Sequence, residues 1–203
     1  MNVFSRTCAS ALASALLSMA ATTASAGPHH LTGDYAYTGE GSCLYSPQGF
    51  DPVLLTPLGF SFVSSFSVTG TWTWYRNGKA SLVGRIVSFN HSPSYAGTTF
   101  TPAASSATLK ASFTSGEEAE DGSFPVDMTS FLGKFTAGSR TGQTFTSGSA
   151  RVVTFASQNG KTLTMATTEP AIDVQTIFDR YGNPAQSIPR ICHATRTLVR
   201  VAS

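Results

Sequence analysis

Charge, cysteine and helical periodicity are the three things this chain has little of. Charged residues make up only 12% of it, against 41% apolar and 11% aromatic. Intrinsic disorder couples low hydrophobicity to high net charge, so this composition excludes a disordered tail. The formal charge is +2, and one of those charges, Arg6, lies in the leader described below. So even a balance offers no electrostatic attraction toward nucleic acid or an anionic membrane surface. Past residue 26 no segment repeats apolar residues every 3.6 positions, which excludes amphipathic helices as the main elements. No catalytic, metal-binding or nucleotide-binding motif stands out, and no cofactor is expected.

The first 26 residues read as a secretory signal. Arg6 supplies the positive start, and Ala11 to Ala21 forms an apolar run of small residues with Leu12, Leu16, Leu17 and Met19. Ala24-Ser25-Ala26 then offers the small side chains a signal peptidase accepts. The run is too short and too rich in Ala and Ser for a membrane-spanning helix. Cys8 sits too near its start to be an acylation site. Cleavage is expected after Ala26, leaving a secreted or periplasmic chain, 27–203, that begins Gly27-Pro28-His29-His30 and has no membrane span. Its length predicts a single domain.

Of three cysteines, Cys43 and Cys192 remain after processing. In an oxidising compartment two cysteines allow one intramolecular pairing. A bridge between positions so far apart would stabilise by roughly 2–4 kcal/mol. It would also bring the first and last segments together in space.

What is abundant is alternation with a period of two. From Phe60 to Trp74 the even positions read Phe60, Phe62, Ser64, Phe66, Val68, Gly70, Trp72, Trp74, with mostly Ser and Thr between them. That is the pattern of a half-buried strand, and Gly70 suggests a bend or bulge within it. Asn77-Gly78 predicts a tight turn of the primed type, and 79–90 runs back, so 60–90 is one long hairpin. Further strands are expected over 31–44, 107–115, 124–135, 143–157 (as one strand or two), 161–168, 172–179 and 191–201. Asn159-Gly160 marks a second hairpin. The main proline-containing loops are 47–57 and 92–102.

The fold class is therefore all-β. The cysteine placement favours a closed antiparallel up-and-down barrel of about eight to ten strands, because pairing the terminal strands removes both exposed edges. A two-sheet β-sandwich with a cross-sheet bridge is the alternative. The opening Leu31-Thr32-Gly33-Asp34-Tyr35 resembles the first strand of lipocalin-like (calycin) barrels, in which a Gly, any residue and then an aromatic, usually Trp, recur. The resemblance implies a barrel with an apolar ligand cavity. It also implies that Arg196 or Arg200, on the closing strand, packs over Tyr35, an aromatic–guanidinium contact worth about 0.5–2 kcal/mol. Tyr replaces Trp here, the Thr-Asp-Tyr turn of that family has no counterpart, and no C-terminal helix follows the last strand.

Candidate ligand-binding residues are Tyr35, Tyr37, Phe62, Phe66, Trp72, Trp74 and His193; Cys43, Cys192, Arg196 and Arg200 are expected to be structural. The aromatic stripe could line a pocket, although ordinary core packing is the simpler reading. His193 shares its face with Thr195 and Thr197, and would be a polar group or general base if that face points inward. His29-His30 could chelate Cu(II) or Ni(II) with the mature N-terminus, but Pro28 lacks the backbone N–H this needs, so a solvated terminus is the simpler reading. The acidic stretch Glu117-Glu118-Ala119-Glu120-Asp121-Gly122 lacks the spacing of a calcium loop and reads as a solvated hairpin tip.

Four functions are compatible with these features. The first is a binding module for a small hydrophobic molecule. The second is an interaction protein that presents loops 47–57 and 92–102 to a partner. The third is a barrel-type isomerase or cyclase, which would require His193, Arg85 or a carboxylate to meet in a cavity. The fourth, an integral outer-membrane barrel, needs apolar residues facing lipid on every strand, whereas the strands after Ala103 are rich in Ser and Thr and the chain ends Val201-Ala202-Ser203.

Overall fold

A computed structural model describes residues 31–91 and 103–201. The leader, His29-His30 and the 92–102 loop lie outside the described residues. The described chain forms ten strands and no helix. They are β1 (Gly33–Tyr45), β2 (Phe62–Trp74), β3 (Lys79–Asn90), β4 (Ala103–Ser115), β5 (Ser123–Ala137), β6 (Thr144–Ser147), β7 (Arg151–Ala156), β8 (Thr162–Ala166), β9 (Ile172–Phe178) and β10 (Pro184–Arg200). All pair antiparallel in one sheet.

The pairings run in a ring of eight: β1-β2-β3-β4-β5-β6-β9-β10, with β10 returning to β1. This departs from a plain up-and-down order at one place. The long strands β5 and β10 are joined by two separate short ladders, β6–β9 near one end and β7–β8 near the other. The chain passes 144–156 along β5, turns, and passes 162–178 back along β10.

Alternation sets which side chains face the interior. In β2, Ser64, Val68, Trp72 and Trp74 are buried while the residues between them are exposed or half-buried. In β5 a register shift opposite Ser112/Phe113 moves the inward set from even to odd numbers, so that Val126, Met128, Phe131 and Phe135 all face in. One bulge thus keeps both halves of a 15-residue strand useful to the core.

The β2–β3 hairpin forms as expected, but with a different turn. Tyr75 and Lys79 close a three-residue loop in which the Gly78 amide donates to the Tyr75 carbonyl. Gly78 alone takes positive φ (71°), and Asn77 does not; its carboxamide oxygen instead accepts from the Lys79 amide. This is a type I turn followed by a left-handed glycine rather than a primed turn. Nor does Gly70 mark a bulge, because the register runs through Gly70↔Gly84 unbroken. Its function is close approach: a Cβ on Gly70 would stand 2.6 Å from the Gly84 Cα.

One end of the ring is packed solid. Leu31, Tyr35, Trp74, Phe124, Leu163 and Leu198 are each at most 2% exposed, and the Tyr35 hydroxyl donates to the Gly160 carbonyl at 2.9 Å. Taking each such side chain out of water contributes roughly 1.5–3 kcal/mol.

Cys43 and Cys192 are bonded. They face each other directly in the β1–β10 ladder, with Cα atoms 4.1 Å apart, close to the about 4.5 Å of a non-hydrogen-bonded antiparallel pair. The bridge therefore joins strands that already hydrogen-bond. Replacing both cysteines by serine should lower unfolding stability by about 2–4 kcal/mol while leaving the far-ultraviolet circular dichroism unchanged. Urea denaturation of the oxidised wild type and the double variant checks this.

Candidate ligand cavity

Beyond the packed end, the interior holds a cavity of about 540 Å³, within the range of small-molecule sites. Its floor is aromatic. Trp72 stacks on Phe113 with ring centroids 4.2 Å apart and on Tyr37 at 5.8 Å, and contacts Trp74 behind it at 5.6 Å. Val68, Leu82, Leu109, Met165 and Phe145 continue the apolar wall, and Ser64, Ser88, Asn90, Ser105 and Gln175 line its more polar part.

The cavity also reaches the surface through the wall. Between the Gly148–Val174 hydrogen bond, which ends one ladder, and Val153↔Ala166, where the other begins, the segments 149–152 and 167–173 do not pair with each other. Ser149, Thr168, Glu169, Pro170 and Ala171 line the cavity and are themselves exposed. The two short ladders enclose a gap between them.

Arg190 and Asp173 stand at the upper edge of that gap. Their side chains are only 12% and 11% exposed and form an ion pair at 2.8 Å. The guanidinium also donates to the Tyr45 hydroxyl at 3.1 Å and to Ser147 Oγ. Asp173 accepts from Ser147 Oγ at 2.7 Å and from the Gly148 amide at 2.6 Å. Burial by itself would lower the Arg190 pKa, but Tyr45 and Asp173 reverse this and hold the guanidinium charged. Arg140, by contrast, has its pKa lowered by desolvation, and donates to Gln186 Oε1 at 2.7 Å.

Tyr37, Phe62, Phe66 and Trp72 line the cavity, as does the Cys43–Cys192 bridge. Tyr35 and Trp74 do not: they belong to the packed end, one layer below the floor. His193 is exposed on the outer face with Thr195 and Thr197, because the inward residues of β10 are the even-numbered ones, Ile188 to Leu198. Arg85 is likewise exposed, so neither enters the cavity. Arg196 faces inward near Tyr37, whose phenol pKa is raised by burial against the opposing Arg196 charge. Arg200 is the register partner of Tyr35, and its charge only partly offsets the burial that raises the Tyr35 pKa. The guanidinium that lies over an inward-facing ring is Arg190, 5.8 Å above Tyr45.

The acidic tip around Glu117–Asp121 is exposed, with Asp121 accepting from the Ser123 amide at 2.9 Å. Among the described residues no group of three or more His, Cys, Asp or Glu is arranged to hold a metal. Arg140, Asp173 and Arg190 were missed by sequence reasoning. The available signal was parity, since Arg190 and Arg196 share the even numbering of Ala194 and Leu198 once the strand is carried back through Pro189.

Asp173→Ala should destabilise the fold by about 3–5 kcal/mol, because it strands a buried guanidinium. The Asp173→Leu/Arg190→Met pair should cost far less, since no charge is then left unpaired. Denaturant melts of the three proteins check the ordering.

Compared with family models, curated proteins and solved structures, the chain matches none, so its functional reading rests on the geometry of the cavity.

Proposed function

We propose that this is a secreted or periplasmic binding module, a closed lipocalin-like barrel that holds one small hydrophobic molecule in its interior. The observation that carries this reading is the cavity of about 540 Å³ above an aromatic floor. A core that needed only stability would fill that volume, since interiors pack to crystal-like density. The signal-like leader and the disulfide support export to an oxidising compartment.

A bound ligand stabilises the folded state by mass action, by about 2.7 kcal/mol at one hundred times its Kd. For a domain of this size that corresponds to a rise in Tm of roughly 5–11 °C. A screen of aliphatic and aromatic compounds should find such a shift, with a 1:1 complex in native mass spectrometry. Ala107→Phe, which fills the cavity from β4, should abolish both. A wild-type protein that binds none of them contradicts the reading.

A second reading has one specific observation behind it. The loop between β1 and β2 exposes Val53 (85%), Leu54 (72%) and Leu58 (60%), apolar side chains that a monomeric surface usually keeps scattered. This favours a loop that docks on a partner. Val53→Ser/Leu54→Ser/Leu58→Ser should then weaken cell-surface or partner retention while leaving ligand-induced Tm shifts intact. Unchanged retention counts against it.

A further inference from the structure

We infer that the molecule held in the interior is an apolar anion, a carboxylate on a hydrocarbon tail, whose carboxylate meets Arg196, Trp72 and Tyr37. This rests on the interior-binding function proposed above and narrows it to one ligand class.

Charge is unbalanced in this cavity. Its lining includes Arg140, Arg151, Arg190 and Arg196 but only two carboxylates, Glu169 and Asp173. Among the described residues the ion pairs are Arg151–Asp127 and Arg190–Asp173. Arg140 turns to a carboxamide. Arg196 lies deepest of the four and has no carboxylate partner among the described residues.

The surroundings of Arg196 are specific. It faces Gly39 across the β1–β10 ladder. A Cβ on Gly39 would stand 2.9 Å from the Arg196 Cγ and 3.2 Å from the Tyr37 hydroxyl. The missing side chain thus lets the arginine lie across β1 toward the Tyr37 hydroxyl. Its Nη1 is buried and has no partner. Arginine cannot shed its proton, so this is a charged donor held away from water with nothing to donate to, which is costly.

A second donor on the cavity lining is in the same condition. Trp72 Nε1 is buried without a partner, on the strand that pairs with the other side of β1. The Trp72 ring stacks on Tyr37, and the Tyr37 hydroxyl has a proton to give. Three adjacent strands therefore present a guanidinium, an indole N–H and a phenol O–H at the cavity floor. Trp74 Nε1 and Thr154 Oγ1 are also unpartnered, but they lie off the cavity lining in the packed end, where no ligand would reach them.

The chemistry selects the ligand. A planar carboxylate accepts two parallel N–H bonds from one guanidinium and brings the single negative charge that Arg196 lacks. A neutral alcohol leaves that charge uncompensated, and an ammonium meets a like charge. Val68, Leu82, Phe113 and Met165 around the group suit a hydrocarbon tail and penalise a more highly charged head.

Decanoate, decanol and decylamine separate these cases. Titration calorimetry should give decanoate a Kd at least tenfold below that of decanol, with decylamine weakest. Arg196→Met should erase the decanoate advantage and leave decanol binding unchanged. Arg196→Lys should keep part of it, and Trp72→Phe, which retains the ring and removes only the N–H, should weaken decanoate several-fold. The lysine and phenylalanine variants decide the matter if the methionine variant does not fold. Equal affinity for decanoate and decanol in the wild type, or a decanoate preference that survives loss of the arginine, overturns this inference and leaves interior binding standing. Binding of none of the three overturns both.

Discussion

The pairing of the first strand with the last is the interaction on which the rest depends. It runs from Tyr35↔Arg200 to Tyr45↔Arg190 and joins segments that lie at opposite ends of the described chain. Without it, β1 and β10 would each leave a row of unpaired N–H and C=O groups, and the cavity would lose one wall. Both inward-facing arginines of the cavity on β10, Arg190 and Arg196, lie in or at the end of this ladder. The disulfide pins the same ladder two pairs from its Tyr45↔Arg190 end. Fold and site therefore share one seam.

Where the seam is strong, the opposite wall is divided. β5 and β10 are too far apart to pair directly, and two short ladders fill the space between them. A continuous pair of strands would have sealed that wall. Instead 149–152 and 167–173 part company, and polar groups collect at the edge of the gap. Asp173 answers Arg190 there, and Ser147 and the Gly148 amide satisfy the remaining carboxylate lone pairs. A buried ion pair so fully hydrogen-bonded holds position more than it adds stability. It fixes the upper cavity wall, while the unpartnered donors lie deeper, on the aromatic floor.

Much of the fold could be read from the sequence because period-two alternation is a direct imprint of one-sided burial. The 60–90 hairpin and the bridge between Cys43 and Cys192 follow from residues a reader can point to, whereas the sequence leaves open whether 143–157 is one strand or the two that form. The start of β10 could not be read this way. The last strand is expected only over 191–201, yet β10 begins at Pro184 and runs through Pro189, which pairs with Val174 while its carbonyl accepts from the Ser46 amide. That error hid Arg190 and, with it, the partner of Asp173. His193 failed for a different reason: alternation says that two faces differ but not which is inside. Cys192 and Leu198 decide it only once β1 is in place. Tyr37 and Trp72 were legible as aromatics but not as members of a donor cluster, which exists only where three strands from distant parts of the chain meet.

The enclosed interior exists only if β1 and β10 are hydrogen-bonded neighbours. Nuclear Overhauser contacts between α-protons across the two strands test this most directly in the oxidised protein. The ring predicts a strong contact between Cys43 and Cys192 and further ones at every second pair along the ladder, at Gly41 with Ala194 and Gly39 with Arg196. Absence of these contacts, with both cysteines reacting as free thiols, would contradict it.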